Sequence, residues 1–229
     1  MKTIGIIGGL GPDTTATFYL ELIALCAKPQ SNQRPPMLIW NVDVPYDIEE
    51  QVLVTGIGEE QFLPYLIRGA QILEKGGADF LVMPCNTLHV FIEEIRASVS
   101  IPVLSILDTT TQALKDANIN RVGFLSTEVT VKKGIYDTNF RKEGISTVNV
   151  SKEEQKVANK VIYNIVSNDI KSDDTEKLQT IVDSLITQDV EAIVLACTDL
   201  QQLVNPNQKV KVFDTMKILA QAAAREMCK

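Results

Sequence analysis

The sequence predicts an α/β protein made of two pseudo-symmetric, Rossmann-like halves, each a parallel sheet, with an active-site cleft between them. Three observations carry this expectation. Short β-branched runs alternate with longer segments of helical period. Three short segments recur in the same order at offsets of 109 to 118 residues. No low-complexity linker interrupts the 229 residues, a length that suits one large domain or two compact ones of about 100 residues each.

The strand candidates run TIGIIG (3–8), MLIWNV (37–42), FLVM (80–83), VLSI (103–106), RVGFLS (121–126), STVNV (146–150), AIVLA (192–196) and KVFDT (211–215). Between them, apolar residues fall three and four apart, the spacing of one helix face. The first helix carries Phe18, Leu22, Leu25 and Cys26. The next carries Phe62, Leu66, Ala70 and Leu73 and stops at Gly76–Gly77. A helix after Cys85 carries Leu88, Phe91, Ile92, Ile95 and Val99. Two later ones carry Val157, Val161 and Ile165, then Leu178, Ile181, Val182 and Leu185.

The repeat sets the domain organisation. GADFLVMPCNT (77–87) resembles DVEAIVLACTD (189–199) at an offset of 112. TIGIIGG (3–9) matches RVGFLST (121–127) at 118, and VLSILD (103–108) matches VFDTMK (212–217) at 109. The expected halves are therefore 1–105 plus 213–229, and 106–212, with the last helix returning to the first half.

Charge and cysteine usage narrow the function. Twenty-nine acidic and 22 basic residues give a formal charge of −7, which disfavours nucleic acid and anionic membranes as partners. A small acidic substrate needs only one or two local cations, so it stays open. The N-terminus lacks a long apolar stretch and a cleavage site, and no run approaches the roughly 20 residues that span a bilayer. The expected setting is cytoplasmic, with reduced thiols. The four cysteines, Cys26, Cys85, Cys197 and Cys228, contain no C-x-x-C pair, which removes a zinc knuckle and a thioredoxin-type motif.

Cys85 and Cys197 stand apart because both end a strand, where parallel α/β units line their ligand crevice. Asn86-Thr87 and Thr198-Asp199 follow them, residues that cap helices. A helix N-terminus holds carboxylates and can lower a cysteine pKa from about 8.5 toward neutrality. Facing each other across a pseudo-two-fold axis, the two sulfurs would put a base on one face of a substrate and an acid on the other. Racemisation of an amino acid requires that arrangement, with one thiol ionised and the other neutral. The bland reading of each is a small buried hydrophobe; Cys26 and Cys228 are read as packing and terminus.

GGLGPDTT (8–15), MPCNTLH (83–89) and LACTDL (195–200) closely resemble the three motifs of the aspartate/glutamate racemase family. The resemblance runs from the first strand to the last helix. It implies a cofactor-independent, two-base racemase acting on a small amino acid, commonly a homodimer, with Cys85 and Cys197 as the catalytic pair. By the same resemblance Asn86, Thr87 and Thr198 bind the substrate's amino and α-carboxylate groups. Gly9, Leu10 and Thr127 complete that shell, and Lys156 pairs with a substrate carboxylate.

Two departures bear on the substrate. Many aspartate-specific relatives carry an arginine after the second strand, in an IPDR-like segment, where this chain reads DVPYDIEEQ (43–51). Gln51 is the side-chain contact there, and Asp47, Glu49 and Glu50 form an exposed acidic loop at the cleft mouth that repels an acidic side chain. ACTD replaces the commoner GCTE, placing the shorter Asp199 after the second cysteine. Three rival readings accompany the main one. A dinucleotide turn at Gly9 and Gly11 lacks its third glycine. A metal site at His89 and Cys85 lacks further ligands. A non-catalytic two-domain clamp for an acidic metabolite shares the fold, as does an isomerase of other substrates.

Overall fold

The computed structural model describes residues 1–27, 33–204 and 210–229. In the first half, strand β1 (Ile4–Gly8) is followed by helix α1 (Pro12–Cys26), β2 (Met37–Asn41) and α2 (Tyr46–Thr55). Next come α3 (Leu63–Lys75), β3 (Phe80–Val82), α4 (Ile92–Ala97), β4 (Val103–Leu104) and α5 (Ile106–Asp116). The second half opens with β5 (Arg121–Ser126), α6 (Glu128–Lys132), α7 (Asp137–Lys142) and β6 (Ser146–Asn149). It continues through α8 (Lys152–Val166), α9 (Asp174–Ile186), β7 (Ala192–Ala196) and β8 (Lys211–Asp214), after which α10 (Thr215–Met227) returns to pack on α1.

The strands form two four-stranded parallel sheets, ordered β2-β1-β3-β4 and β6-β5-β7-β8. The expected fold class holds, and the repeat extends to register. Ile4 pairs with Phe80 as Val122 pairs with Ala192, and Leu81 pairs with Val103 as Ile193 pairs with Val212. Even the caps correspond. Ser105 accepts hydrogen bonds from the N–H groups of Leu107 and Asp108, and its counterpart Asp214 accepts from those of Met216 and Lys217. Each cap satisfies free donors of a helix first turn, which is why the fourth strands stop at Leu104 and Asp214 rather than at Ile106 and Thr215.

Three apolar clusters hold the layers. Helix α3 and the segment after Cys85 cover the outer face of the first sheet, through Leu66, Ala70, Leu73, Leu88 and Ile95. Helices α8 and α9 cover the outer face of the second, through Val161, Ile165, Leu178 and Ile181. The third cluster joins the halves: Phe18 and Leu22 of α1, Ile106 and Leu114 of α5, Phe124 of β5, and Leu219 and Ala220 of α10 share one core. Phe18 is fully buried there, so truncating it to alanine costs about 3–5 kcal/mol.

Other elements depart from the sequence reading. Residues 46–51 are helix rather than loop: Pro45 precedes α2, and Gly56 in the left-handed conformation follows its last residue, Thr55. The long helix expected after Cys85 is split into a 3-10 helix (Thr87–Phe91) and the short α4. After Cys197 there is only a 3-10 turn (Leu200–Gln202).

Candidate active site

Cys85 and Cys197 emerge from β3 and β7 at the same end of their sheets and face one cavity of about 60 Å³. Its apolar wall is Leu10, Val52, Leu53, Phe62, Leu88, Ile162 and Val166. Its polar wall is Gly11, Glu49, Cys85, Thr87, Thr127, Cys197 and Asp199. That volume accommodates a few waters, so admitting a substrate requires the walls to part. A larger groove of about 720 Å³ between α5, β8 and α10 contains neither cysteine.

The β1–α1 turn forms the floor. Gly9 has φ +84°, and a Cβ there would lie 2.9 Å from the Val42 backbone nitrogen, so the turn needs glycine. Its N–H donates to Thr15 Oγ1 at 2.9 Å. Two residues on, a Cβ at Gly11 would meet Asp199 Oδ1 at 2.8 Å. The glycines make room for the Asp199 carboxylate as well as for the turn.

The residues flanking the cysteines lock the loops together. Thr198 Oγ1 donates to the Pro84 carbonyl at 3.1 Å. Asn86 Nδ2 donates to Thr215 Oγ1 at 3.0 Å, and Thr215 donates in turn to the Leu195 carbonyl at 2.8 Å. The Tyr136 hydroxyl donates to Asn86 Oδ1. On the cavity side, the Thr87 and Thr127 hydroxyls lie 2.9 Å apart and both lie near Thr130 Oγ1, while Thr127 caps α6. Asn86 and Thr198 are thus engaged behind the cavity, whereas Leu10, Thr87 and Thr127 line it. Gln51 is exposed and packs against Gly58. Lys156 is exposed beside a separate groove of about 420 Å³ that shares only Leu53 with the cavity.

His89 is neither a ligand nor a reactive group. Its Nδ1 lies 2.6 Å from the Cys85 carbonyl oxygen, and its Nε2 accepts from the Ile106 N–H at 3.1 Å. That pairing assigns the neutral tautomer with the proton on Nδ1, and burial pushes its pKa down to about 4. The ring ties the Cys85 loop to the start of α5. Among the described residues, no group of three or more His, Cys, Asp and Glu is placed to hold a metal ion.

The electrostatics reverse the expectation for the thiols. Burial pushes Cys85 up to about 12, against the opposing backbone N–H groups of Leu88 and Thr87 and with help from the negative Asp199. Burial and then Asp199 push Cys197 up as well. Neither cysteine heads a long helix, so the dipole that would favour a thiolate is short, and desolvation wins. The neighbouring acids move the same way. Asp199 is raised by burial, despite the hydrogen bond it accepts from Thr14 Oγ1 at 2.5 Å. Glu49 is raised by burial and by Asp199.

Asp199 is a candidate that the sequence reading treats only as a shorter substitute for a capping Glu. Its Oδ2 lies 3.7 Å from Cys197 Sγ, within reach of the thiol proton. The sequence carries a signal for it: Asp199 occupies the position that Thr87 holds in the first half, so the repeat is broken beside the second thiol.

A model of the Asp/Glu/Hydantoin racemase family matches residues 7–223. The chain belongs to that family. It is 30% identical over 224 residues to the broad specificity amino-acid racemase RacX of Bacillus subtilis (strain 168), covering 96% of this chain and 95% of that protein. It is 27% identical to the glutamate racemase of Persephonella marina, over 71% of this chain and 63% of that one. The aspartate racemase of Picrophilus torridus shares the fold with a TM-score of 0.84 at 26% identity, covering 100% of this chain and 95% of that chain.

Proposed function

We propose that this Asp/Glu-type racemase interconverts the L and D forms of an α-amino acid without a cofactor, with Cys85 and Cys197 as the two bases. The observation that carries the reading is the pair of thiols on equivalent strand ends, facing one cavity from the two halves. One thiolate takes the α-proton, and the opposite thiol delivers its own proton to the other face of the planar carbanion. The roles exchange for the opposite enantiomer.

Raised thiol pKa values mean that the resting site holds both protons near neutral pH. Asp199 supports the first step at Cys197, because its carboxylate can receive the thiol proton as the substrate approaches. The Thr87 and Thr127 hydroxyls and the Leu10–Gly11 turn are the groups available to the α-carboxylate. Gly9 shapes that turn, and Asn86 and Thr198 hold the two cysteine loops at a fixed separation. Gln51 and Lys156 would reach a substrate only if the cleft rearranged.

The assignment of the last helix to the first half is supported by its packing on α1 and by the Lys2–Glu226 ion pair. The homodimer and the cytoplasmic setting remain part of this proposal. Among the described residues no helix is long and apolar enough to cross a membrane.

NMR of α-proton exchange in D2O, with a panel of L- and D-amino acids and no pyridoxal phosphate, tests the function. Deuterium incorporation accompanied by loss of optical purity is the expected result. Tight binding of an amino acid with no exchange would leave the clamp reading instead.

A further inference from the structure

We propose that the cleft selects α-amino acids with a cationic side chain, and that Glu49 is the residue that reads it. This rests on the racemase reading and adds the substrate class to it.

The cavity wall contains two carboxyl groups, Glu49 and Asp199, and no lysine, arginine or histidine. Asp13, in the first turn of α1, adds a third negative charge close enough to bear on Asp199. Two cations that follow the cavity residue Thr127 in sequence are already committed. Lys132 pairs with Glu128 at 2.8 Å, and Lys133 pairs with Glu59 at 2.5 Å. Lys156 lies across Leu53, outside the wall. A substrate with a side-chain carboxylate would bring a negative charge into a site that already has two carboxyls and must generate a thiolate. Its cost rises as water is excluded.

The two acids have separate uses. Asp199 is held by Thr14 and lies beside Cys197, so it belongs to proton transfer. Glu49 reaches the cavity from α2, an element other than those that carry the two thiols, and it is only half-buried. The same cavity has an apolar wall of Val52, Leu53, Phe62, Ile162 and Val166. That is the lining an aliphatic stem needs when it ends in an ammonium or guanidinium: methylenes against the wall, charge on the carboxylate. The stretch that supplies Glu49 is the one in which an arginine was missing from the sequence, so the sign of the charge there is inverted.

The test compares L-lysine, L-norleucine and L-glutamate as substrates for exchange in D2O, with the wild type and with Glu49→Gln, Glu49→Arg and Lys156→Met. Wild-type kcat/KM for lysine should exceed that for glutamate by about 100-fold, the scale expected when one side chain makes a charge-assisted hydrogen bond and the other meets a like charge. Glu49→Gln should lower kcat/KM for lysine about tenfold or more and leave norleucine within about threefold. Glu49→Arg should raise glutamate relative to lysine, and Lys156→Met should leave lysine turnover within about threefold. Equal turnover of glutamate and lysine by the wild type, or an unchanged lysine-to-norleucine ratio in Glu49→Gln, overturns the proposal while leaving racemisation standing. No exchange with any amino acid removes the racemase reading. Selection is then read from ligand-induced Tm shifts: stabilisation by lysine that disappears in Glu49→Gln upholds it, and stabilisation by glutamate overturns it.

Discussion

Cys85 and Cys197 occupy equivalent ends of β3 and β7, yet their surroundings differ. Cys197 is 7% exposed, with the Asp199 carboxylate 3.7 Å from its sulfur. Cys85 keeps more surface in the cleft, and Thr87 stands where Asp199 stands in the other half. Behind Cys85 lies His89, bonded to its carbonyl oxygen rather than to its sulfur. The scaffold repeats down to register and helix caps, whereas the groups proposed to handle protons differ. A reaction that runs both ways needs two bases, but nothing requires them to be activated alike.

The largest effect expected from breaking this comparison is at the sulfurs themselves. Cys85→Ala and Cys197→Ala should each lower racemisation by about a thousandfold or more, with far-UV circular dichroism unchanged. Asp199→Asn comes next and sharpens the asymmetry. It should reduce kcat/KM by about 100-fold, equally for both enantiomers, because the equilibrium constant of a racemisation is one. The individual kcat values for the two enantiomers should diverge, since only Cys197 loses its proton acceptor; equal fractional losses in both would contradict the assigned role.

A smaller effect concerns acid stability. His89 is neutral and depressed to about 4 in the folded chain against about 6.5 when unfolded. Its contribution is present above pH 6.5 and is lost as pH falls toward 4, a change of about 3 kcal/mol. Denaturant midpoints should decline over that window, and the decline should flatten in His89→Gln. The thiols have the opposite sign. Raised above their unfolded values, they favour the folded chain below about pH 8.5 and lose that contribution at higher pH, for Cys85 as pH rises toward 12. By the same logic kcat/KM should keep rising through pH 8 to 9 rather than level off at neutrality.

The smallest effect tests what holds the halves in place. Glu59 is 4% exposed and pairs with Lys133, the residue that ends α6. Burial opposes its charge, but Lys133 and the backbone N–H groups of Glu59 and Gly58 outweigh that and hold it below the usual carboxylate range. Lys133→Met should lower the urea midpoint slightly, by leaving the carboxylate with its backbone partners alone. Glu59→Gln in the same background should restore part of it.

Periodicity and the internal repeat were enough to read the eight strands and the long helices, because burial on sheet faces writes directly into hydrophobic spacing. The cysteines were legible for the same reason: a strand followed by a turn locates its own end. Helix α2 was not. Its polar, acidic stretch 46–51 carries no strong apolar face, and it is held by Pro45, Gly56 and packing across the cleft. The thiol pKa direction was also illegible. It depends on how much water reaches the sulfurs and on Asp199 reaching Cys85 from the other half, and both are tertiary facts. Asn86 and Thr198 show the same limit, since their loop-locking partners Thr215 and Pro84 lie 129 and 114 residues away.

The account stands on two bases working from opposite faces, and the fate of the α-proton early in the reaction tests that most directly. Starting from one protiated enantiomer in D2O, the wild type should yield product carrying α-deuterium at nearly every molecule, while the remaining substrate stays mostly protiated. Substantial transfer of the original α-protium into the product would mean a single group serving both faces, and would contradict the account.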